Sequence, residues 1–343
     1  MSKEPKATKK QNAKPADTNA SPSAYGWCFQ VGAGISLMLD NLKEITSMKM
    51  EGAHDDIEFT TDSGKIYAQA KSVVQMGDQR SATNNLANAM RTLSSDANNN
   101  DAVKLIYVTN IINPFSGKKS SDFQYGRNYD FSILPNEAQA KIRKLVDSNF
   151  PTEMFQVQII SFFGEGENKF ESIKEKISVF LRDAINDPSY NKRLLDSWFE
   201  KFMVNASDKP DNEKKLDLKK KDIILPVIVL VIDPPISERD FLNVCDYDNY
   251  SEITQNFREL INRNICDYEF YSGVLGDYLT KRRLASDTAN YKFEYVKNEW
   301  NDYESQFITI KNAEIREALI KLLLLTVITQ RTKINEIKEA ANL

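Results

Sequence analysis

Residues 56–71 constrain the fold of this chain most, because they have the pattern of two short β-strands joined by a tight turn. The predicted strands cover residues 56–60 and 65–70. Gly64 lies in the turn between them, where a positive φ is easiest for glycine. Side chains alternate between the two faces of a strand, so Gln69 and Lys71 should share one face of the second strand. The segment therefore predicts a β-hairpin with polar side chains near its open end.

The polar residues around this hairpin have the chemistry of a metal-dependent phosphodiesterase site. Asp56 begins the first strand, Gln69 lies near the end of the paired strand, and Glu51 ends the segment before them. Mg²⁺ prefers hard oxygen ligands and keeps several waters, so few protein ligands are enough. We expect Asp56, Gln69 and Glu51 to hold Mg²⁺, with Mn²⁺ as a substitute, and the Ala70 carbonyl can add a ligand. Lys71 would orient the attacking water or stabilise the charge that develops on the phosphate.

The order of predicted elements indicates a mixed α/β fold. Apolar residues recur at three- and four-residue steps in each predicted helix, whereas the predicted strands are short and apolar or alternating. The predicted helices cover residues 25–44, 80–95, 135–147 and 172–185, and further strands cover residues 45–50, 103–110 and 155–163. Helices alternate with strands in the second half of this region, which favours a partly parallel sheet with helices packed on it.

The last third of the chain has a different character. A charged run over residues 205–222 is the best candidate for a linker or long loop. The apolar stretch at residues 223–232 contains Pro226 and is short, so we predict a buried strand there. The remainder is predicted to be mainly helical and contains no recognisable catalytic motif. We expect four parts: a disordered tail (1–24), a catalytic domain (25–204), the charged segment (205–222) and a helical partner-binding or oligomerisation region (223–343).

Composition excludes several classes of site. The only histidine is His54, which argues against multi-histidine metal sites and a Ser-His-Asp triad. The three cysteines have no Cys-x-x-Cys spacing, so we expect neither a disulfide framework nor a zinc site. This cysteine usage is typical of the reducing cytoplasm, where we expect the protein to be located. The first 24 residues are polar and lack the apolar segment of a signal peptide. No apolar run is long enough for a transmembrane helix, so no membrane association is expected.

Asp56 and the motif Gln69-Ala70-Lys71 resemble the PD-(D/E)XK nuclease superfamily, in its Q-x-K variant from the Mrr-like branch. The predicted order helix, three strands, helix, strand also resembles the core of that superfamily. The resemblance covers roughly residues 25–165 and implies a restriction-endonuclease-like mixed sheet flanked by helices. It also implies that Gln30, on the first helix, faces the catalytic site beside Glu51.

Within the superfamily, the sequence is most similar to nuclease effectors of bacterial anti-phage systems, namely the endonuclease domain of CBASS effectors and the nuclease subunit of Lamassu-type systems. The resemblance implies an endonuclease that cuts double-stranded DNA with low sequence specificity. It further implies an SMC-like ATPase and a small accessory subunit as partners, and activation by assembly into an oligomer. The alternatives are an effector gated by a nucleotide signal, a nuclease that acts on RNA, and a non-catalytic scaffold that keeps the fold.

Several residues near the site and elsewhere admit two interpretations. Asp55 and Glu58 compete with Asp56 as metal ligands, and His54 either contacts phosphate or lies in a surface loop. The glycines at positions 32 and 34 favour close helix packing over a dinucleotide-binding loop, since the third glycine is missing. The basic clusters at residues 219–221 and 281–283 would contact DNA phosphates or form solvated faces.

Overall fold

The computed structural model describes residues 21–51, 56–116, 121–182, 187–207, 217–233, 235–246, 250–262, 267–285 and 290–343. Most of the predicted tail, together with His54 and Asp55, lies outside the described residues. The first helix begins at Ser21.

The centre of the fold is a mixed seven-stranded sheet with the order β5-β6-β4-β3-β2-β1-β7. β3, β4 and β6 run parallel to one another, whereas the other neighbouring strands pair antiparallel. The strands are β1 (Ile45–Met50), β2 (Ile57–Thr61), β3 (Gly64–Lys71), β4 (Ala102–Thr109), β5 (Arg127–Asp130), β6 (Phe155–Ile159) and β7 (Leu218–Lys219). The predicted hairpin is therefore β2 and β3, and the predicted mixed α/β class with a partly parallel sheet is confirmed.

Helices flank the sheet and make up most of the last third of the chain, as predicted. The helices are α1 (Ser21–Asn41), α2 (Gln79–Asp96), α3 (Asn136–Arg143), α4 (Glu171–Leu181), α5 (Ser189–Ser207), α6 (Lys220–Ile232), α7 (Glu238–Phe241), α8 (Tyr250–Asn262), α9 (Tyr268–Arg282), α10 (Tyr291–Glu299), α11 (Ala313–Thr329) and α12 (Arg331–Ala340). Short 3₁₀ segments cover Phe131–Ile133, Thr152–Met154, Gly166–Phe170 and Trp300–Phe307.

The two faces of the sheet bury different cores. One core joins the sheet to α1, α4, α5 and the C-terminal helices, and it includes Met50, Ala68, Trp198 and Leu323. The other lies under α2 and α3 and includes Tyr67. The predicted charged segment overlaps regular structure at both ends, because α5 ends within it and β7 and the start of α6 lie in its last part. Its role as a linker and the predicted domain boundaries stay predictions.

Two glycines of α1 allow the helix to pack closely, as predicted. A Cβ atom at Gly32 would lie 2.7 Å from Cδ1 of Ile173, and one at Gly34 would lie 2.9 Å from Sδ of Met50. Both distances are shorter than ordinary van der Waals contact, so a larger side chain at either position would require Ile173 or Met50 to move.

The predicted strand over residues 223–232 is wrong, because this segment belongs to α6. Pro226 lies inside the helix and lacks the N–H that would donate to the carbonyl of Asp222. The helix is surrounded by the larger core, with Ile223 and Ile232 fully buried. A helix buried on all sides has no polar face, so its sequence has the same uninterrupted apolar pattern as a buried strand.

Candidate active site

The ends of three neighbouring strands bring the predicted site residues together. Met50 of β1 lies opposite Ile57 of β2, which in turn lies opposite Ala68 of β3. One residue further, the Glu51 N–H donates to the Asp56 carbonyl at 2.8 Å. This arrangement places Glu51, Asp56 and Gln69 beside one another across the ends of three strands, although four residues separate Glu51 from Asp56 in the chain.

Asp56 and Lys71 form a direct ion pair at this end of the sheet. The Lys71 Nζ donates to both carboxylate oxygens of Asp56, at 3.1 Å to Oδ1 and 2.9 Å to Oδ2. The Ala70 N–H also donates to Asp56 Oδ2, at 2.8 Å. Asp56 is buried, so its negative charge is balanced by an ammonium group and a backbone amide rather than by bulk water. The carboxylate is therefore held in one orientation. Of these three hydrogen bonds, Oδ2 accepts two and Oδ1 accepts one, from the Lys71 ammonium group.

Gln69 and Glu51 differ in how the backbone presents them. Gln69 is buried within β3, next to Tyr107 of the parallel strand β4. Glu51 is half-buried, and its φ of 50° lies in the left-handed region that residues other than glycine seldom adopt. Such a conformation costs free energy and is found most often at functional sites. This left-handed residue directly follows β1 and is itself the predicted metal ligand.

An open cavity of about 710 Å³ lies next to this ion pair, between the first turns of α1 and α2. Lys71 lines it from β3 and Gln30 from α1, so these two predicted residues face the same space. The lining residues are Pro22, Ser23, Gly26, Trp27, Gln30, Ala70, Lys71, Ser72, Val73, Val74, Gln75, Asp78, Ser81 and Asn85. Asp56, Gln69 and Glu51 are not among them, and Asp56 is connected to the cavity through its ion pair with Lys71. The five predicted residues are therefore divided, with Lys71 and Gln30 at the cavity and the three proposed oxygen ligands outside its lining.

Asn110, which the sequence interpretation missed, connects the elements around this cavity. Its Oδ1 accepts from the Val73 N–H at 2.9 Å, and its Nδ2 donates to the Val73 carbonyl at 2.8 Å. The same Nδ2 lies 3.2 Å from the Tyr25 hydroxyl, which donates to the Phe162 carbonyl. Asn110 is fully buried, so it fixes the segment after Lys71 against α1 and the segment that follows β6. Its position in the sequence was the available signal, because ligands bind beside the carboxyl ends of parallel strands and Asn110 directly follows such a strand.

The first turn of α2 closes the other side of the cavity. Asp78 caps the helix by accepting from the Ser81 N–H at 3.0 Å, and hydrogen bonds from Ser81 hold the pKa of this carboxyl below its ordinary value. Asn85 donates to the Ser72 carbonyl at 2.9 Å. Both ends of the segment between β3 and α2 are thus held by side chains, which keeps the cavity wall in place.

The donor set suits magnesium better than a softer metal. It consists of two carboxylates and one amide, all of them oxygen donors. Among the described residues, no three His, Cys, Asp or Glu side chains converge on one point. Gln69 adds a neutral carbonyl oxygen, so the donor set carries two negative charges. Glu58, a predicted competitor for Asp56, pairs instead with Lys65 at 2.9 Å.

The two basic clusters are partly engaged in ion pairs. Lys221 pairs with Glu269 at 2.6 Å, and Lys281 pairs with Glu299 at 2.6 Å. Lys220 is buried and donates to the Lys43 carbonyl at 3.2 Å, and burial lowers its pKa. The DNA contacts predicted for these clusters stay predictions.

A larger cavity of about 940 Å³ lies elsewhere, between the end of α1 and α4, and shares no lining residue with the candidate site. There, Asp40 accepts from Lys176 at 2.6 Å and from Gln158 at 2.7 Å. Size alone does not identify the functional site, because two of the predicted phosphodiesterase residues, Lys71 and Gln30, line the smaller cavity.

No protein-family model and no curated protein matches the chain. Two solved structures that resemble it are those of the Acinetobacter baumannii Cap4 SAVED/CARF-domain containing receptor, one with the cyclic trinucleotide 3'3'3'-cAAA and the other with 2'3'3'-cAAA. Their TM-scores are 0.40 and 0.39, and each is 14% identical in sequence. The match covers 61% of this chain and 45% of the receptor chain in each case. No helix in the described ranges has the length and apolar character needed to cross a bilayer.

Proposed function

We propose that this chain is a Mg²⁺-dependent endonuclease that hydrolyses phosphodiester bonds in double-stranded DNA. One observation carries the proposal: Lys71 lies within 3.1 Å of both oxygens of Asp56, next to the buried Gln69 and at the mouth of an open cavity. A positive group, an acid and a neutral oxygen donor at the end of paired strands are the parts that phosphodiester hydrolysis requires.

Each residue has a distinct role in this proposal. Asp56, Gln69 and Glu51 would hold Mg²⁺, which when bound neutralises the phosphate and lowers the pKa of a bound water. The amide of Ala70 keeps Asp56 oriented. Lys71, which reaches the cavity, would orient the attacking water and stabilise negative charge on the phosphate oxygens. Gln30 would hold the substrate from the opposite wall.

We further propose that the enzyme is an effector of anti-phage defence, kept inactive until it is triggered. The first trigger we consider is assembly with an SMC-like ATPase and an accessory subunit, as in Lamassu-type systems, with formation of an oligomer. The second is a nucleotide signal, as in CBASS-like effectors. The cyclic trinucleotides in the two Cap4 receptor structures belong to the same chemical class as this second signal. Each trigger can be added separately to the purified chain.

Plasmid cleavage by the purified full chain with Mg²⁺ or Mn²⁺ tests the proposal, alone and with each trigger. Lys71→Ala removes the proposed catalytic ammonium. Lys65→Ala is the matched control, because Lys65 is also a β3 lysine paired with an acid but lies at the other end of the strand. We expect the unmodified chain and Lys65→Ala to cut, and Lys71→Ala and samples with chelator to leave the plasmid intact.

Two results would contradict the proposal. Equal cutting by the unmodified chain and Lys71→Ala would remove Lys71 from the site. A chain that restricts phage in cells equally well with Asp56→Ala and Lys71→Ala would be a scaffold that keeps the fold without the chemistry. Parallel assays on an RNA of the same sequence separate the DNA substrate from the RNA alternative.

A further inference from the structure

An apolar rim borders the candidate active-site cavity beside Lys71. Trp27 on α1 and Val74 after β3 both line the cavity, with 38% and 52% of their surfaces exposed. Met76, which is 71% exposed, follows two residues later in the same segment. Single exposed apolar side chains are ordinary on protein surfaces. Two of them at one polar cavity, with Met76 two residues further along the same segment, indicate a surface that a ligand covers.

The charges around this rim indicate the kind of ligand. Lys71 lines the cavity and Arg80 is exposed in the first turn of α2, while the Asp78 carboxylate that also lines the cavity accepts from the Ser81 N–H and caps α2. Phosphates are attracted to such cations, while the flat face of a nucleobase stacks on an aromatic ring. A nucleotide therefore matches both the rim and its cations. An apolar peptide would match the rim but carries no anionic group for Lys71 or Arg80 to attract.

The rim also distinguishes between paired and unpaired bases. In an intact duplex, each base face is covered by its neighbours in the stack, so Trp27 can reach only the backbone. A base must leave the stack before an aromatic side chain can cover it, which costs least where the base is already unpaired. We propose that Trp27, Val74 and Met76 bind a nucleobase that has left its stack, so that the preferred substrate is DNA with unpaired bases. This inference rests on the proposed function and specifies its substrate class.

Binding measured without cleavage tests the inference. The full chain, in chelator, is titrated with a single-stranded oligonucleotide, the fully paired duplex, and the same duplex with one unpaired base. Stacking of one base changes the dissociation constant by about five- to 150-fold. We expect the strand and the bulged duplex to bind more tightly than the paired duplex by a factor in this range.

Three variants test whether the rim causes the preference for unpaired bases. Trp27→Ala should remove it, and Trp27→Phe should retain most of it because the aromatic face remains. Leu284→Ala is the control, since Leu284 is 87% exposed on a different part of the chain and should change nothing. Tryptophan fluorescence gives a second readout, because Trp27 is exposed at the cavity, whereas Trp198 is fully buried and the half-buried Trp300 does not line the cavity. Quenching by the bulged duplex should disappear in Trp27→Phe.

Equal affinity for the three nucleic acids, or an unchanged preference in a folded Trp27→Ala protein, would overturn the inference. A rim that instead captures a protein partner through Trp27, with no effect on nucleic-acid binding, would overturn it as well. These failures differ from failure of the proposed function. A chain that prefers unpaired DNA through Trp27 but never cleaves would keep the inference and lose the nuclease. A chain whose cutting depends on Lys71, but whose binding preference does not depend on Trp27, would keep the nuclease and lose the inference.

Discussion

Lys71→Met separates the structural role of the ion pair from its proposed chemical role. The substitution keeps the length of the side chain but leaves the buried Asp56 carboxylate without its ammonium partner. Removing one member of a buried pair costs about 3–5 kcal/mol. The Lys71 side chain is 29% exposed, and Asp56 keeps the bond from the Ala70 N–H. We therefore expect the free energy of unfolding to fall by about 2–3 kcal/mol, measured by urea denaturation in chelator.

Magnesium should reverse part of this loss. In the unmodified chain the Lys71 ammonium contacts both oxygens of Asp56, where a cation would also be attracted. The substitution frees these oxygens, so Mg²⁺ should stabilise Lys71→Met more than the unmodified chain. A cation that binds only the folded state adds about 2.7 kcal/mol at a concentration 100-fold above its dissociation constant. The readout is stability, so it does not depend on a trigger for catalysis.

Lys192→Met is the control for this experiment. Lys192 also pairs with an acid, Glu167, but both side chains are largely exposed, so the change in stability should be small and insensitive to Mg²⁺. If Lys71→Met unfolds at the same urea concentration as the unmodified chain, the Asp56–Lys71 pair does not form in solution. If Mg²⁺ stabilises neither protein, Asp56 is not a metal ligand.

Three further predictions concern the hairpin and the cavity wall. Gly64→Ala should lower the free energy of unfolding by at least about 2 kcal/mol in a denaturation experiment, because φ is 144° and a Cβ would lie 2.4 Å from the Asp101 carbonyl oxygen. Burial and a hydrogen bond to Asp101 raise the pKa of Tyr67 to about 12. The unfolded chain thus loses this proton first, so stability should fall between about pH 10 and 12, and Tyr67→Phe should make the fall less steep in thermal unfolding. Asn110→Ala should cost about 2–3 kcal/mol and weaken oligonucleotide binding, since it leaves both backbone groups of Val73 unpaired, and unchanged binding in a folded variant would contradict this.

The hairpin and most of the site could be predicted because their determinants are local. Asp56 and Gln69 belong to adjacent antiparallel strands joined by a two-residue turn, so the alternation of side chains alone places them on one face. Lys71 follows on the same face. The left-handed conformation of Glu51 could not be predicted, because the sequence there carries no glycine to signal it.

Other elements depend on contacts that the sequence pattern does not display. β5 is a short edge strand with only Tyr129 buried, so it lacks both an apolar run and a clear alternation. β7 pairs with β1 across a large separation in the chain, and its two residues lie within a charged run. α6 was mistaken for a strand because its surroundings, and not its periodicity, decide its conformation. In each case long-range packing overrides the local pattern.

These long-range contacts also give the helical region a physical route to the site. The Met50 N–H donates to Asn205 Oδ1 on α5 at 2.8 Å, and Lys49 pairs with Asp217 at 3.0 Å just before β7. Met50 immediately precedes Glu51, so both ends of the charged segment hold the strand that positions this predicted metal ligand. In the effector proposed above, a shift of α5 or β7 would act on Glu51 through these two contacts, because neither contact involves Asp56 or Lys71.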